Sequence, residues 1–552
     1  MTDRDEVLVG HAMAAGQRGA RFARLLYVCR RAWRYVQPQE MIITLRDALP
    51  PLRGASPGLG APLVAVECVA EPVFFALFAA LCDEIRLDGG VRVELVVARS
   101  INAAVGTGLM QTLARSAPVV YEVSRHCTRA FRGIADGVAY RSRSLRHPIG
   151  DLLDWWRSGS IWRQARDSGS FHELKIDGVQ VGDLVIDSYL RFRPRANFQP
   201  HDRFTRTLLW QTCRDLRRAT GYFRKCRPVL YVTSHSTYSE HGVPVRVALM
   251  HDVDVRSFGS FARFGKQLSR TDWFHTPDTR NYKAVFGALD RQDQRLSQAD
   301  EQLNMRLSGG IDAVTSYMRV SAYRVTSEPV PPVTGATVVF LHDFHDSLHC
   351  YPDVVFHDFW TWACSTIDIL TAAGVSFFVK PHPNQMALSS EALIELRRKY
   401  PDLPLISSAI TNAQLALAGM ACGVTMYGSV AHEIAYFGIP SIACARHPHT
   451  SFDFCRTARN VEDYEQYLRT PCELPISRTE MRRQALAFYY MHNLHGTREE
   501  LTLRRHYVNF WKSCLENPAP AELREKFSVL RGADEFRHFG AALRAGAKDH
   551  GN

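Results

Sequence analysis

The sequence contains no C-x-x-C pair, no lysine-rich tail, no apolar segment after a basic start, and no unbroken apolar run longer than Val73–Cys82. Its thirteen cysteines, an odd number scattered from Cys29 to Cys514, fit reduced thiols rather than a disulfide framework or a zinc site. A cytosolic chain is therefore expected. The apolar run is far below the ~20 residues a membrane-spanning helix requires, and a start carrying Asp3, Asp5 and Glu6 does not read as a secretory signal. Neither a C₂H₂ finger nor an RNP-like strand is present, so nucleic acid is not an expected partner. What is present describes a globular protein: 552 residues, 46% apolar and 22% charged. A single core rarely grows past roughly 250–300 residues, which divides this chain into two large domains with extensions. A net charge of +11 favours anionic partners such as phosphorylated substrates or an acidic membrane surface.

Residues 1–60 read as a helical N-terminal extension. Within it the 17–37 stretch places Phe22, Leu25, Leu26, Cys29 and Trp33 on one helical face and five arginines on the rest. Such a helix either docks on its own protein or lies on an anionic bilayer. Residues 61–325 alternate strands (LVAVECV, VRVELVV, PVVYEV) with helices, one ending at Ile85 and one near Thr107–Arg115, the pattern of βαβ units in a parallel sheet. A less regular region follows at 141–170, with Trp155, Trp156 and Trp162 expected to pack inside. Three prolines in TSEPVPPVTGA (326–336) mark the boundary. Residues 337–476 repeat the α/β alternation: TVVFL, VSFFV, PLIS, ACGVTM and IPSIAC as strands, with helices around 356–373, 389–399, 413–418 and from Ser429. Ser477 and Glu480 have capping-box spacing and open a helical stretch to about Cys514, followed by a polar tail in the final part of 477–552. The expected fold is α/β, with two Rossmann-like parallel-sheet domains facing across a cleft. Ligands bind such sheets at the carboxyl ends of their strands.

Two segments carry the chemistry. VSFFVKPHPNQ ends a strand in Lys380, Pro381, His382, Pro383 and Asn384, where an ammonium and an imidazole can meet a phosphate. CGVTMYGSVAHEIAYFGIPSIA reads as strand, loop with Gly428, helix opening at Ser429, and Glu433 one turn on. Free N–H groups at that helix start suit a diphosphate, and Glu433 suits ribose hydroxyls. Helix capping by Ser429 is the alternative reading. HDFHDSLH offers His342, His345 and His349 with two aspartates, but no second ligand cluster accompanies them, and no metal is expected.

Taken in order, these segments resemble bacterial surface-polysaccharide (capsular) glycosyltransferases of the GT-B type. The resemblance spans roughly 180–470. It includes GDLVIDSYLR (Gly182, Asp183, Asp187, Tyr189, Arg191), SHSTYSEHGVPVR (His235, Tyr238, Gly242, Arg246), FLHDFHDS, HDFWTW, the KPHP loop, the Gly-Ser-x-x-x-Glu helix and HPHTSFDF. The resemblance implies a glycosyltransferase with a C-terminal domain for a nucleotide-sugar co-substrate and an N-terminal domain for a lipid-linked or growing glycan, with no other cofactor. Lys380, His382, Pro383, Asn384, Gly428, Ser429 and Glu433 become donor-site residues. The catalytic candidates, acting on an acceptor hydroxyl, are Asp187, His235, Glu240, His241 and Asp346. The dispersed cysteines point to the cytoplasm, and the amphipathic 17–37 helix with the +11 charge suggests peripheral contact at the inner face of the cytoplasmic membrane. A CDP-polyol phosphotransferase and a UDP-sugar 2-epimerase are the alternatives, and the donor base stays open.

Overall fold

The computed structural model describes residues 40–549 except 50–56, 59, 70, 97–98, 102–119, 123–134, 140–145, 194, 260–263, 278–280, 313–320, 322, 384–386 and 474. The expected 17–37 and 107–115 helices and Asn384 lie outside the described residues. In chain order the strands of the first half are β1 (Leu63–Glu67), β2 (Arg92–Val96), β3 (Arg99–Ile101), β4 (Val120–Glu122), β5 (Gly137–Val138), β6 (Lys175–Ile176), β7 (Val179–Gln180), β8 (Leu230–Thr233), β9 (Asp254–Phe258) and β10 (Gly265–Leu268). Those of the second half are β11 (Thr337–Phe340), β12 (Phe377–Lys380), β13 (Cys422–Val424), β14 (Ser441–Ala443) and β15 (Cys455–Thr457).

Two sheets organise the chain. The first runs β10-β9-β8-β1-β2-β5, parallel apart from the antiparallel β9–β10 edge. The second is wholly parallel, in the order β12-β11-β13-β14-β15. β1 and β11 are buried along their whole length, which is what covering both faces of a parallel sheet demands and why these strands read as continuous apolar runs. This is the expected α/β architecture with two largely parallel sheets. PVVYEV departs from expectation, because β4 pairs antiparallel with β3 in a separate ribbon. PLIS makes only an isolated bridge, Val379 to Leu405.

The chain crosses between halves more often than the proline linker suggests. The helices Tyr282–Gly287 and Gln292–Leu307 precede the linker, yet Phe286, Leu303 and Leu307 share a core with Ala431, Ala435, Met481 and Phe488 of the second half. The stretch after Ser477 is not one helix. Ser477 caps Arg478–Tyr489 by accepting from Glu480 N–H, a π turn covers Tyr490–Leu494, and a fresh capping box at Thr497/Glu500 starts Arg498–Leu515. Nor is the end a polar tail. Leu503, Tyr507, Phe527, Phe536 and Leu543 pack with Phe74, Phe78 and Ile85 of the Pro72–Arg86 helix, so the last three helices cover the first sheet. The 141–170 region is also more regular than expected, forming the 20-residue helix Arg146–Ala165. No helix among the described residues is long and apolar enough to cross a membrane.

Candidate functional site

The end of β12 and the loops after β11 and β13 open into one cavity of about 390 Å³ lined by Lys380, Pro381, His382, Pro383, Gly428, Ser429 and Glu433. Two segments 47 positions apart are thus brought together because β11 lies between β12 and β13. Gly428 is required by close approach: a Cβ there would stand 2.8 Å from Thr425 Oγ1, the atom that accepts the Gly428 N–H bond. Ser429 makes no cap bond, so the capping alternative is not the one realised; its hydroxyl lies 3.4 Å from Glu433 Oε1. Tyr427, just before Gly428, and residues farther away in sequence complete the wall: Tyr323, His342, Tyr351, Asn412, His447 and His492.

Lys380 is the group that makes this cavity chemically distinctive. It is 4% exposed, and its ammonium has no hydrogen-bond or ion-pair partner among the described residues. Burial lowers its pKa to about 8 against the opposing attraction of Glu433. Glu433, also buried, is already engaged: Oε1 accepts from Tyr323 Oη (2.9 Å), Oε2 accepts from Asn412 Nδ2 (2.7 Å), and Arg306 Nη1 lies 3.8 Å away. His342, stacked on Phe359 and hydrogen-bonding with Thr425, is held neutral by burial and by His382, at about 3.

On the first half, a second polar cluster sits at the carboxyl ends of β1 and β8. Glu67 Oε2 accepts from Ser234 N and Ser234 Oγ, both at 2.7 Å, while Oε1 bonds His241 Nδ1. Because the Ser234 proton goes to Glu67, Ser234 Oγ is an acceptor for His235 Nδ1 at 3.0 Å. The proton of a neutral His235 therefore sits on Nδ1, leaving Nε2 with a free lone pair and no hydrogen-bond partner among the described residues. Burial, and then the nearby His241 charge, lower His235 to about 4, so it is neutral at pH 7. His241 is the opposite case. Burial disfavours its charge, but Glu67 at Nδ1 and Glu240 at 3.3 Å from Nε2 outweigh that and keep it protonated. Arg191 acts electrostatically on His235, Tyr238 and Asp346, which gathers these groups at the junction of the halves. Asp346 is exposed, but the protein packed around it, with Asp343 and Asp187 nearby, raises its carboxyl above the usual range.

Asp187 stands apart from the other catalytic candidates. It is fully buried and accepts from Ser347 Oγ (3.0 Å) and His349 Nδ1 (2.7 Å), tying the Gly182–Phe192 helix to the second half. His345 Nδ1 adds a bond to Leu190 O at 2.9 Å. His342, His345 and His349 thus serve three different partners. Other motif positions act within the first half: Arg246 grips Asp183 bidentately at 2.7 and 2.5 Å, and a Cβ on Gly182 would meet Phe171 O at 1.9 Å. Sequence reasoning missed Glu67, although an acid closing a buried strand at its carboxyl end was its available signal. Nothing in the sequence pointed to Tyr323, Asn412 or His492.

No family model and no curated protein matches the chain. Among solved structures it is similar to Thermosulfurimonas dismutans KpsC, a beta Kdo 2,4 transferase, at 11% identity over 47% of this chain and 79% of that one, with a TM-score of 0.29. It is likewise similar to Methanocaldococcus jannaschii UDP-GlcNAc 2-epimerase (10%, covering 50% and 79%, TM-score 0.23) and to the wall teichoic acid polymerase TagF (10%, covering 67% and 97%, TM-score 0.22). At such TM-scores these likenesses carry no argument about the chemistry of the site.

Proposed function

We propose that the protein is a glycosyltransferase that moves a sugar from a nucleotide-activated donor in the Lys380 cavity to a hydroxyl of a surface-polysaccharide acceptor held by the first half. The observation that carries this reading is the buried Lys380 ammonium, which has no hydrogen-bond or ion-pair partner among the described residues, beside His382, Ser429 and Glu433. A charge kept out of water without a counter-ion is costly, and an anionic ligand offsets that cost. The donor diphosphate supplies the anion, and Glu433 and Asn412 face the ribose. His235 Nε2 takes the acceptor proton as the new glycosidic C–O bond forms and the bond to the nucleoside diphosphate breaks, with Lys380 stabilising the departing charge. Ser234 and Glu67 hold His235 in the required tautomer.

Transfer of a polyol phosphate from a CDP-activated donor is the second reading. The protonated His241 between Glu67 and Glu240 favours it, because a cation on the acceptor side suits a transferring phosphate. Thermal unfolding with UDP, GDP, CMP, CDP and TDP tests both. A ligand at about 100 times its Kd should stabilise the fold by about 2.7 kcal/mol. Absence of any response, or a response undiminished in Lys380→Met, refutes the donor site, and a response to CDP alone supports the second reading.

A further inference from the structure

The Arg146–Ala165 helix is inside-out. Its carboxylates point inward: Asp154 is buried, and Asp151 and Asp154 are gripped by Arg214 and Arg217 of the Arg203–Cys226 helix. Ile161 and Trp162 near its end pack on the core, but the large apolar side chains of its first half point to solvent. Ile149 (63% exposed), Leu152 (58%), Leu153 (63%) and Trp156 (65%) follow i, i+3, i+4, i+7 spacing and form one stripe. Trp155 extends it, with the Arg206 guanidinium 4.4 Å from its ring centre. An open depression lined by Asp151, Leu152, Trp155 and Trp210 lies alongside. Arg163, two turns beyond Trp156, is exposed on the same face. Soluble surfaces expose single apolar residues routinely, but a contiguous stripe of this kind marks a contact surface.

Charge selects the occupant. Both aspartates of this helix are turned inward onto arginines, while Arg163 and Arg206 stand beside the stripe, so two copies meeting on this face would bring like charges together. Aromatic and leucine side chains rimmed by arginine are the composition of a helix lying in a lipid interface, where the apolar face enters the acyl boundary and the cations meet headgroups. We propose that this face docks the protein on an anionic bilayer, with Leu153 and Trp156 as the inserted residues. The proposal stands apart from the transferase reading, since it concerns adsorption and not turnover.

The test is flotation of the full-length protein with phosphatidylcholine vesicles, with and without phosphatidylglycerol. Wild type is expected to float with the anionic vesicles and much less with the neutral ones, and less at high salt. Leu153→Glu/Trp156→Glu should weaken binding about tenfold or more, with an unchanged circular dichroism spectrum and an unchanged thermal response to nucleotide. Arg163→Glu, which removes no apolar contact, should weaken it less and abolish part of the salt dependence. Three outcomes overturn the proposal: no binding of wild type to anionic vesicles, binding undiminished in the double variant, or a shift from dimer to monomer in that variant without loss of vesicle binding, which would assign the face to a second copy.

Discussion

Lys380→Met should make the protein more stable and less able to bind a nucleotide, a combination that a structural lysine would not give. The folded-state pKa lies at about 8 against an ordinary value near 10.5. The unfolded chain therefore holds this proton more tightly than the folded one. The resulting penalty is absent above about pH 10.5 and fully present below about pH 8, where at about 1.36 kcal/mol per pH unit it amounts to about 3 kcal/mol. Methionine keeps the unbranched stem and removes the charge. Part of the gain is offset because Glu433 loses an attractive neighbour, so a net stabilisation of about 1–3 kcal/mol at pH 7 is expected. Denaturant unfolding at pH 7 and pH 10 measures it: the variant should have the higher midpoint at pH 7, and the rise in wild-type stability between those pH values should shrink in the variant. Nucleotide stabilisation should fall sharply. A variant less stable than wild type by about 1 kcal/mol would show that Lys380 makes a favourable native contact and would remove the argument for an anionic ligand.

His235→Ala should lower turnover by about a hundredfold or more while leaving nucleotide stabilisation intact, since the base acts on the acceptor; equal loss of both would refute the separation of roles. Ser234→Ala should leave some activity and alter the acid limb of the rate profile, because Nδ1 loses its acceptor. Burial lowers the pKa values of His432, His447, His449 and His492. Their contribution is complete above about pH 6.5 and is lost as pH falls towards the folded values. Between pH 7 and 5.5 that loss is about 1.2 kcal/mol each and about 5 kcal/mol for the four, and an unfolding midpoint that does not move over this interval would contradict it. Gly182→Ala, whose Cβ would strike the Phe171 carbonyl, and Asp183→Ala, which strands the buried Arg246, should each cost about 3–5 kcal/mol, measured as a fall in unfolding midpoint.

The strands were legible where burial on both faces made them apolar throughout, as in β1, β11 and β13, and the Lys380 loop was legible because prolines punctuate a strand end. The chain crossings were not. A polar-looking helix such as Asp534–Asp549 shows only a narrow apolar stripe, and which sheet it covers depends on partners more than 400 positions away, such as Asp88, which pairs with Arg544 and Lys548. The Arg146–Ala165 helix misled in part: Trp162 packs on the core as its type suggests, but Trp155 and Trp156 are exposed, because aspartates hold the buried side where arginines from another helix meet them. The motif positions Gly182, Asp183 and Arg246 serve packing, since sequence alone does not separate a residue that must be small or paired from one that must react.

The position of Asp187 leads to a final expectation. Its carboxylate joins the Gly182–Phe192 helix to Ser347 and His349, and Ser347 O in turn accepts from Tyr427 Oη at 3.0 Å, a side chain that lines the donor cavity. Asp187 thus ties a first-half helix to a loop that touches the wall of the Lys380 cavity, alongside the His345 bond to Leu190 O across the same junction. Asp187→Asn preserves the shape and one acceptor but removes the charge that, against the cost of burial, raises the His349 pKa. The donor cavity itself is built wholly from the second half and the segments packed on it, so nucleotide affinity should change by no more than about threefold. Turnover depends on how accurately a base on one half meets a donor on the other, and a misplacement of about 1 Å costs on the order of a hundredfold. Stopped-assay turnover at saturating donor, set beside nucleotide binding for the same variant, separates the two. Parallel loss of both would place Asp187 in the donor site, and unchanged turnover would show that the junction of the halves is held by other contacts.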